Sequence, residues 1–187
     1  TVPAGATTVK NDSTVETDDG DKYDASAEPG ITDRSWSVSK STSGSLTETS
    51  TPNLLKAPWK IEVVVPNNWS EFIIRDNIKN DSPDDAPDKI THYGIAADLQ
   101  TEIEEKLQLT LVDNTALSYA AAKEAGIGIG IRYCDTDCGF DANGALRNGA
   151  TEIASNDTTN KVRAICIKLT KTARYTGKNI KKLTLEN

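Results

Sequence analysis

Short runs of alternating or continuous apolar residues, separated by polar stretches, divide the chain into strand-like segments. The clearest runs lie at 35–40, 59–66, 72–76, 161–169 and 179–186. Side chains of a strand point alternately to its two faces, so a strand with one buried face shows a period of two. The pattern predicts a mainly β protein, built as an antiparallel β-sandwich of two sheets.

The region after residue 76 departs from this pattern. Leu99, Ile103 and Leu107 recur at every fourth position, with acidic residues early and a lysine late, which predicts an amphipathic helix over 95–107. An alanine-rich run predicts a second, shorter helix over 116–125. We therefore expect short helical insertions between the strands of the sandwich.

A glycine-rich strand is predicted next along the chain. Ile127, Ile129 and Ile131 alternate with glycines, which permit the close approach of another backbone. A coil is predicted over 135–160, before the strand at 161–169.

Residues 1–34 form a distinct region, and residues 35–187 form the predicted sandwich domain. Turn signals at 18–21 and 28–30 indicate an acidic linker, whereas 7–15 alternates as a strand. This strand has no obvious partner within its own chain. The expected partner is therefore a neighbouring copy or domain of the same protein, arranged head to tail, whose sheet the strand extends by β-augmentation.

The composition excludes several classes of function. A net charge of −7 is unfavourable for binding nucleic acid, which requires a concentrated basic surface. No stretch approaches the roughly 18 apolar residues of a membrane-spanning helix. Ser-His-Asp, Walker and Rossmann motifs are absent, and His92 is the only histidine. We therefore expect no membrane span, no nucleic-acid partner and no enzymatic turnover.

The three cysteines predict a disulfide if the protein is exported. Cys134 and Cys138 lie close together in sequence, and we expect them to form a loop disulfide, with Cys166 as a small buried residue in a strand. The odd number leaves one thiol over, and other pairings stay open. Zinc is not expected, because a structural site requires four ligands and the chain has a single histidine.

Acidic residues in the same loop give a weak signal for a metal. Asp135, Asp137 and Asp141 present the oxygen ligands that calcium prefers, so calcium is the one cofactor that we consider. The run lacks the glycine and the glutamate that define an EF-hand loop. A solvated acidic loop explains it more simply.

The three tryptophans suggest a further alternative function. Trp36 and Trp59 lie in or beside apolar strands and are expected in the core. Trp69 lies in the polar turn 66–70 and is the candidate for an exposed aromatic that stacks on sugars. A carbohydrate-binding module is therefore one alternative.

Three residues on strand-like segments form a potentially reactive set. Lys40 lies on an early strand, Asp76 ends an inner strand and Asn187 ends the last strand. If these strands bring the side chains into one core, desolvation drives the lysine towards its neutral amine and the aspartate towards its protonated acid. The acid polarises the carboxamide of Asn187, so that attack by the amine expels ammonia and leaves a covalent amide.

The order of these segments resembles a known family. A lysine on an early strand, a strand that begins at Trp59, an apolar strand that ends at Asp76 and a terminal Asn187 are similar to the isopeptide-forming immunoglobulin-like domains of the collagen-adhesin type. These domains occur in Gram-positive surface adhesins and pilins. The resemblance covers 35–78 and 176–187, and it implies an immunoglobulin-like β-sandwich, an extracellular location at the cell surface and a structural function.

The resemblance also implies a role for each residue of the set. Lys40 donates the amine, Asn187 accepts it, and Asp76 moves the proton in a single turnover. Asn11 is an alternative acceptor when it belongs to a neighbouring copy. The partners implied are other copies or domains of the same protein and a host or matrix ligand; the alternative functions are a filament subunit assembled by strand donation and the carbohydrate-binding module.

Overall fold

The structure is a computed structural model that describes residues 34–48, 55–77, 92–136, 139–175, 177 and 179–186, together with the backbone of 11–16 and 22–27. Strands dominate the described part of the chain, as predicted. In chain order they are β1 (Asn11–Glu16), β2 (Lys22–Ala27), β3 (Ser37–Thr42), β4 (Thr47–Glu48), β5 (Leu55–Lys56), β6 (Trp59–Val64), β7 (Glu71–Asn77), β8 (Gly94–Ile95), β9 (Gln108–Leu111), β10 (Ala116–Ser118), β11 (Ile127–Cys134), β12 (Glu152–Ile153), β13 (Lys161–Val162), β14 (Ala164–Lys171) and β15 (Ile180–Glu186).

Two large antiparallel sheets organise the fold. One has five strands in the order β10-β9-β15-β6-β3, and the other has four in the order β12-β11-β14-β7. The pairs β1-β2, β4-β5 and β8-β13 form small two-stranded sheets. The prediction of a mainly β, antiparallel protein is therefore confirmed.

One hydrophobic core lies between the two large sheets. In the five-stranded sheet, Ile61 of β6 pairs with Leu185 of β15, and both are buried. In the four-stranded sheet, Ile165 and Ile167 of β14 are buried in the same cluster. Directly paired residues of an antiparallel sheet share a face, so these pairs define the inward side of each sheet.

Helix α1 (Ala96–Lys106) follows the predicted period closely. Its buried residues include Leu99 and Ile103, which join the core between the sheets. The Gln100 side chain, on the same helix, accepts a hydrogen bond of 3.0 Å from the hydroxyl of Tyr133 on β11. The predicted amphipathic helix is therefore confirmed, and it seals part of the core.

Helix α2 (Tyr119–Glu124) is shorter than predicted, because the first part of the alanine-rich run is a strand. Residues 116–118 form β10, which pairs with β9 across the turn at Asn114. Ser118 then caps the helix by accepting a hydrogen bond of 3.3 Å from the backbone N–H of Ala121. Tertiary pairing with β9 overrides the helix propensity of this run.

The predicted coil at 135–160 packs on the outer face of the four-stranded sheet. It is irregular apart from β12 and an isolated bridge between Phe140 and Leu146. Phe140 is fully buried in a second cluster with Cys134, Ala164 and Cys166. This cover explains why β14 is buried on both faces, whereas a strand at the surface alternates.

The amino-terminal strand has a partner within its own chain. β1 pairs antiparallel with β2, from Asn11 opposite Ala27 to Glu16 opposite Lys22. The expectation that the segment 7–15 lacks a local partner is therefore wrong, because the supposed linker contains the second strand of a hairpin. Strand donation to a neighbouring copy stays a prediction. It can no longer be argued from a strand without a partner, because β1 pairs with β2.

Replacing Gly126 by alanine will lower the free energy of unfolding by about 2–3 kcal/mol, measured by urea denaturation. Gly126 connects α2 to β11 with a φ of +82°, and an added Cβ would lie 2.5 Å from backbone atoms of Arg174 and Tyr175. Gly130 provides the matched control, because an added Cβ there meets nothing within 4 Å. Equal effects of Gly126→Ala and Gly130→Ala would contradict the prediction.

Candidate functional site

The structure places Lys40 and Asp76 in direct contact. The Lys40 Nζ donates to both carboxylate oxygens of Asp76, at 2.7 Å to Oδ1 and 2.6 Å to Oδ2. Lys40 lies on β3 and Asp76 on β7, so the ion pair joins the five-stranded sheet to the four-stranded sheet. Two of the three predicted crosslink residues are therefore together.

Strand register explains why these side chains meet. Lys40 pairs with Ile61 of β6, and Asp76 pairs with Ile165 of β14. Because Ile61 and Ile165 both point into the core, Lys40 and Asp76 lie on the inward faces of their sheets. β3 and β7 are the end strands of their sheets, so the pair closes one margin of the space between the sheets.

Two aromatic rings flank the amine. The Lys40 Nζ lies 4.9 Å from the ring centroid of Trp59 and 5.5 Å from that of Tyr93. The two rings contact each other edge to face, with centroids 6.2 Å apart. The rings leave the amine few directions in which to move, and their faces attract its positive charge.

Lys40 is more exposed than predicted. Its side chain is 43% exposed and that of Asp76 is 12% exposed. The expectation of a buried lysine is therefore wrong, because β3 is an end strand and its outer edge has no partner among the described strands.

Neither predicted acceptor has a described side chain. Asn187 lies outside the described residues, and the last residue described before it, Glu186, pairs with Lys60 of β6. Asn11 begins β1 opposite Ala27, but its side chain is also outside what the structure describes. The roles of both residues stay predictions.

The prediction that Trp69 is an exposed aromatic is wrong. Trp69 is only 4% exposed, whereas Trp36 is 49% exposed. The loop between β6 and β7 folds Trp69 into the core, where it contacts Phe72 and Tyr175 edge to face. A buried indole presents no free face for a sugar ring, so Trp69 gives no support to a carbohydrate-binding module.

The structure describes two of the three cysteines, Cys134 and Cys166. Cys134 and Cys166 are both buried free thiols, and burial raises the pKa of the Cys166 thiol. They lie on adjacent strands as a diagonal pair, since Cys134 is opposite Ala164 and Cys166 is opposite Arg132. Cys138 lies outside the described residues, so the loop disulfide stays a prediction.

The carboxylates of Asp135 and Asp141 accept hydrogen bonds from groups of their own loop. Asp141 Oδ1 accepts hydrogen bonds from the backbone N–H groups of Ala145 and Asn143, at 2.9 and 2.8 Å, and these bonds lower the pKa of Asp141. A hydrogen bond from the Thr136 side chain is the main cause of the lowered pKa of Asp135. Asp137 is outside the described residues, and within the described ranges no three His, Cys, Asp or Glu side chains form a metal-binding group.

Tyr93 is the residue that the sequence did not reveal. It precedes β8, and its backbone N–H donates to the carbonyl of Val162 on β13 at 2.9 Å, which fixes the segment beside the ion pair. Its sequence neighbours show neither a period of two nor a helical period. The sequence shows only that Tyr93 directly precedes a glycine. That this glycine has a φ of +146° is known from the structure alone.

Comparisons of the chain with protein-family models, with curated proteins and with solved structures found no match. Within the described ranges, neither helix is long and apolar enough to cross a membrane. The site must therefore be interpreted from its own geometry.

Proposed function

We propose that this chain is a structural module of an extracellular adhesin, pilus or filament, stabilised by an isopeptide bond between Lys40 and Asn187. The observation that carries the proposal is the Lys40 amine held on the Asp76 carboxylate between two aromatic rings. An isolated surface ion pair stabilises a fold weakly, by about 0–1 kcal/mol, so stability alone gives little reason for so constrained an arrangement.

The proposed reaction begins with one proton transfer along the short hydrogen bond from Lys40 to Asp76. The neutral amine attacks the side-chain carbonyl carbon of Asn187, while the protonated Asp76 donates a hydrogen bond to the carbonyl oxygen. Collapse of the tetrahedral intermediate breaks the bond to the amide nitrogen, which leaves as ammonia after taking up a proton. The products are one amide bond and one ammonium ion, because the proton that Asp76 took from Lys40 leaves with the ammonia, and Asp76 returns to its carboxylate.

The order of the strands supports this pairing. β6 lies between β3 and β15, and its residue Ile61 pairs with Lys40 on one side and Leu185 on the other. Asn187 is joined through Glu186 to that same end of β15. Asn187 comes two positions after Leu185, so continued strand geometry would direct the Asn187 side chain to the face that Lys40 occupies.

The topology also supports the finer assignment of the fold. Two antiparallel sheets that share one core, with short helices in the connections, are compatible with an immunoglobulin-like sandwich. Lys40 lies on β3, the strand of the five-stranded sheet that comes first in the chain, and Asn187 directly follows β15, the one that comes last. A bond between these residues would close the domain covalently.

Intact-mass measurement of the purified protein tests the proposal. The folded chain should weigh less than its sequence by one ammonia, because the new amide forms with loss of that molecule. The variants Lys40→Ala and Asp76→Ala should each restore the full mass, the first by removing the nucleophile and the second by removing the proton carrier.

Lys168→Ala is the matched control. Lys168 also lies on a strand and pairs with a carboxylate, Glu71, at 3.0 Å, but both side chains are about half exposed. This variant should keep the mass deficit. A folded wild-type protein with the full mass would refute the intramolecular bond; covalent multimers on a denaturing gel would instead indicate an acceptor such as Asn11 in a neighbouring copy.

A further inference from the structure

A second lysine lies between a tryptophan and a tyrosine at another position in the fold. The Lys171 Nζ is 4.8 Å from the ring centroid of Trp69 and 5.1 Å from that of Tyr175. Lys171 ends β14, and its backbone N–H donates to the carbonyl of Ser70 at 2.9 Å. This bond draws the end of β14 against the loop that carries Trp69.

The strand register directs Lys171 inward. Leu169, two residues earlier on β14, is fully buried in the core, and residues two apart on a strand share a face. Lys171 is therefore partly buried at the rim of the core, whereas Lys168 lies on the opposite face and is exposed.

Lys171 differs from Lys40 in one respect that decides its chemistry. Lys40 has the carboxylate of Asp76, but among the residues that the structure describes no carboxylate pairs with Lys171. The ring faces recover only part of the cost of removing water from an ammonium. Burial accordingly lowers the pKa of the Lys171 amine below the usual value for lysine.

We propose that Lys171 is a nucleophilic lysine that captures small aldehydes as a Schiff base. A lysine desolvated among apolar groups is a good nucleophile towards carbonyl compounds, because more of it is present as the free amine. The Nζ bonds to the carbonyl carbon, both hydrogens of the amine leave with the carbonyl oxygen as water, and a C=N bond remains. No oxidant or reductant is required.

The surroundings favour a small, uncharged aldehyde. The Trp69 and Tyr175 rings line the amine and leave it partly accessible. The Trp69 Nε1 is buried and has no hydrogen-bond acceptor within the described part of the chain. The rings would also protect the C=N bond from water.

Reductive trapping on the 187-residue chain tests the proposal. The protein is treated near pH 7 with limiting propionaldehyde and cyanoborohydride, and the alkylated lysines are located by peptide mass mapping. Lys171 should be alkylated severalfold more than Lys168, the exposed control on the same strand. This preference should narrow at about pH 11, above the usual pKa of lysine, where both amines are largely neutral.

Two outcomes would overturn the proposal. Alkylation of Lys171 at or below the level of Lys168 near pH 7 would show that burial shields the amine without activating it. A preference that survives Tyr175→Ser, which opens the cluster to water, would show that the rings do not cause it. The experiment is also performed on Lys40→Ala, so its result does not depend on the proposed isopeptide bond.

Discussion

If the proposed crosslink forms, replacing Lys40 by alanine will lower the free energy of unfolding by about 5 kcal/mol, because the unfolded chain then loses a bond that closes a loop from residue 40 to residue 187. The value follows from the loop-entropy relation for disulfides. Urea denaturation of the wild-type protein and the variant measures it. The ion pair with Asp76 alone would contribute no more than about 1 kcal/mol.

A double-mutant cycle tests whether a covalent crosslink or only the ion pair between Lys40 and Asp76 stabilises the fold. Asp76→Ala should destabilise the protein as much as Lys40→Ala does, and the double variant should be no less stable than either, because each change already prevents the same bond. Lys168→Ala should cost less than about 1 kcal/mol. Small losses of unfolding free energy for Lys40→Ala, Asp76→Ala and the double variant would contradict the proposed crosslink.

Replacing Trp69 by alanine will lower the free energy of unfolding by about 3–5 kcal/mol, as is typical of a buried large aromatic residue. Trp69 is 4% exposed and contacts Phe72, Tyr175 and Lys171. Removing the indole leaves a cavity at the end of the core, and it removes one of the two rings beside Lys171. Denaturant unfolding followed by far-UV circular dichroism measures the loss.

Trp36→Ala is the matched control for that prediction. Trp36 is 49% exposed, and its described ring contact is an edge-to-face pair with Phe72 at 5.2 Å. Its replacement should cost about 1 kcal/mol. A larger loss of unfolding free energy for Trp36→Ala than for Trp69→Ala would contradict the prediction.

The strands of the core could be predicted because their pattern comes from burial on one face. β6 alternates regularly, β15 alternates from Leu183 onwards, and α1 repeats its apolar residues with the period of a helix. The hairpin β1-β2 could not be predicted, since its second strand, Lys22–Ala27, is polar and lies in an acidic stretch. Its pairing depends on backbone hydrogen bonds, which leave little trace in side-chain chemistry.

The two tryptophans show where local pattern misleads. Trp36 lies in an alternating segment, but β3 ends its sheet, so an inward position on that strand is only partly covered. Val38, also on the inward face of β3, is 71% exposed for the same reason. Trp69 lies in a polar turn, yet the turn folds beneath the end of the core. Exposure is set by the position of a strand within its sheet, which the sequence alone does not specify.

The pairing of Lys40 with Asp76 was accessible from sequence, whereas the aromatic surroundings were only partly so. Both charged residues occupy inward positions of strand-like segments. Trp59 begins the intervening strand, but Tyr93 comes from a connection without periodicity. A short segment that is held beside a site by backbone hydrogen bonds leaves no hydrophobic pattern in the sequence from which it could be predicted.

The strand order of the five-stranded sheet determines how the molecule would carry tension. β3 and β15 both run antiparallel to β6 and are therefore parallel to each other, with Ser37 level with Val64 and Glu186 level with Lys60 at the opposite end of β6. A pull between the start of β3 and the end of β15 acts along the strands, perpendicular to the inter-strand hydrogen bonds. The bonds to β6 then bear the load together, in shear, and cannot be unzipped one at a time.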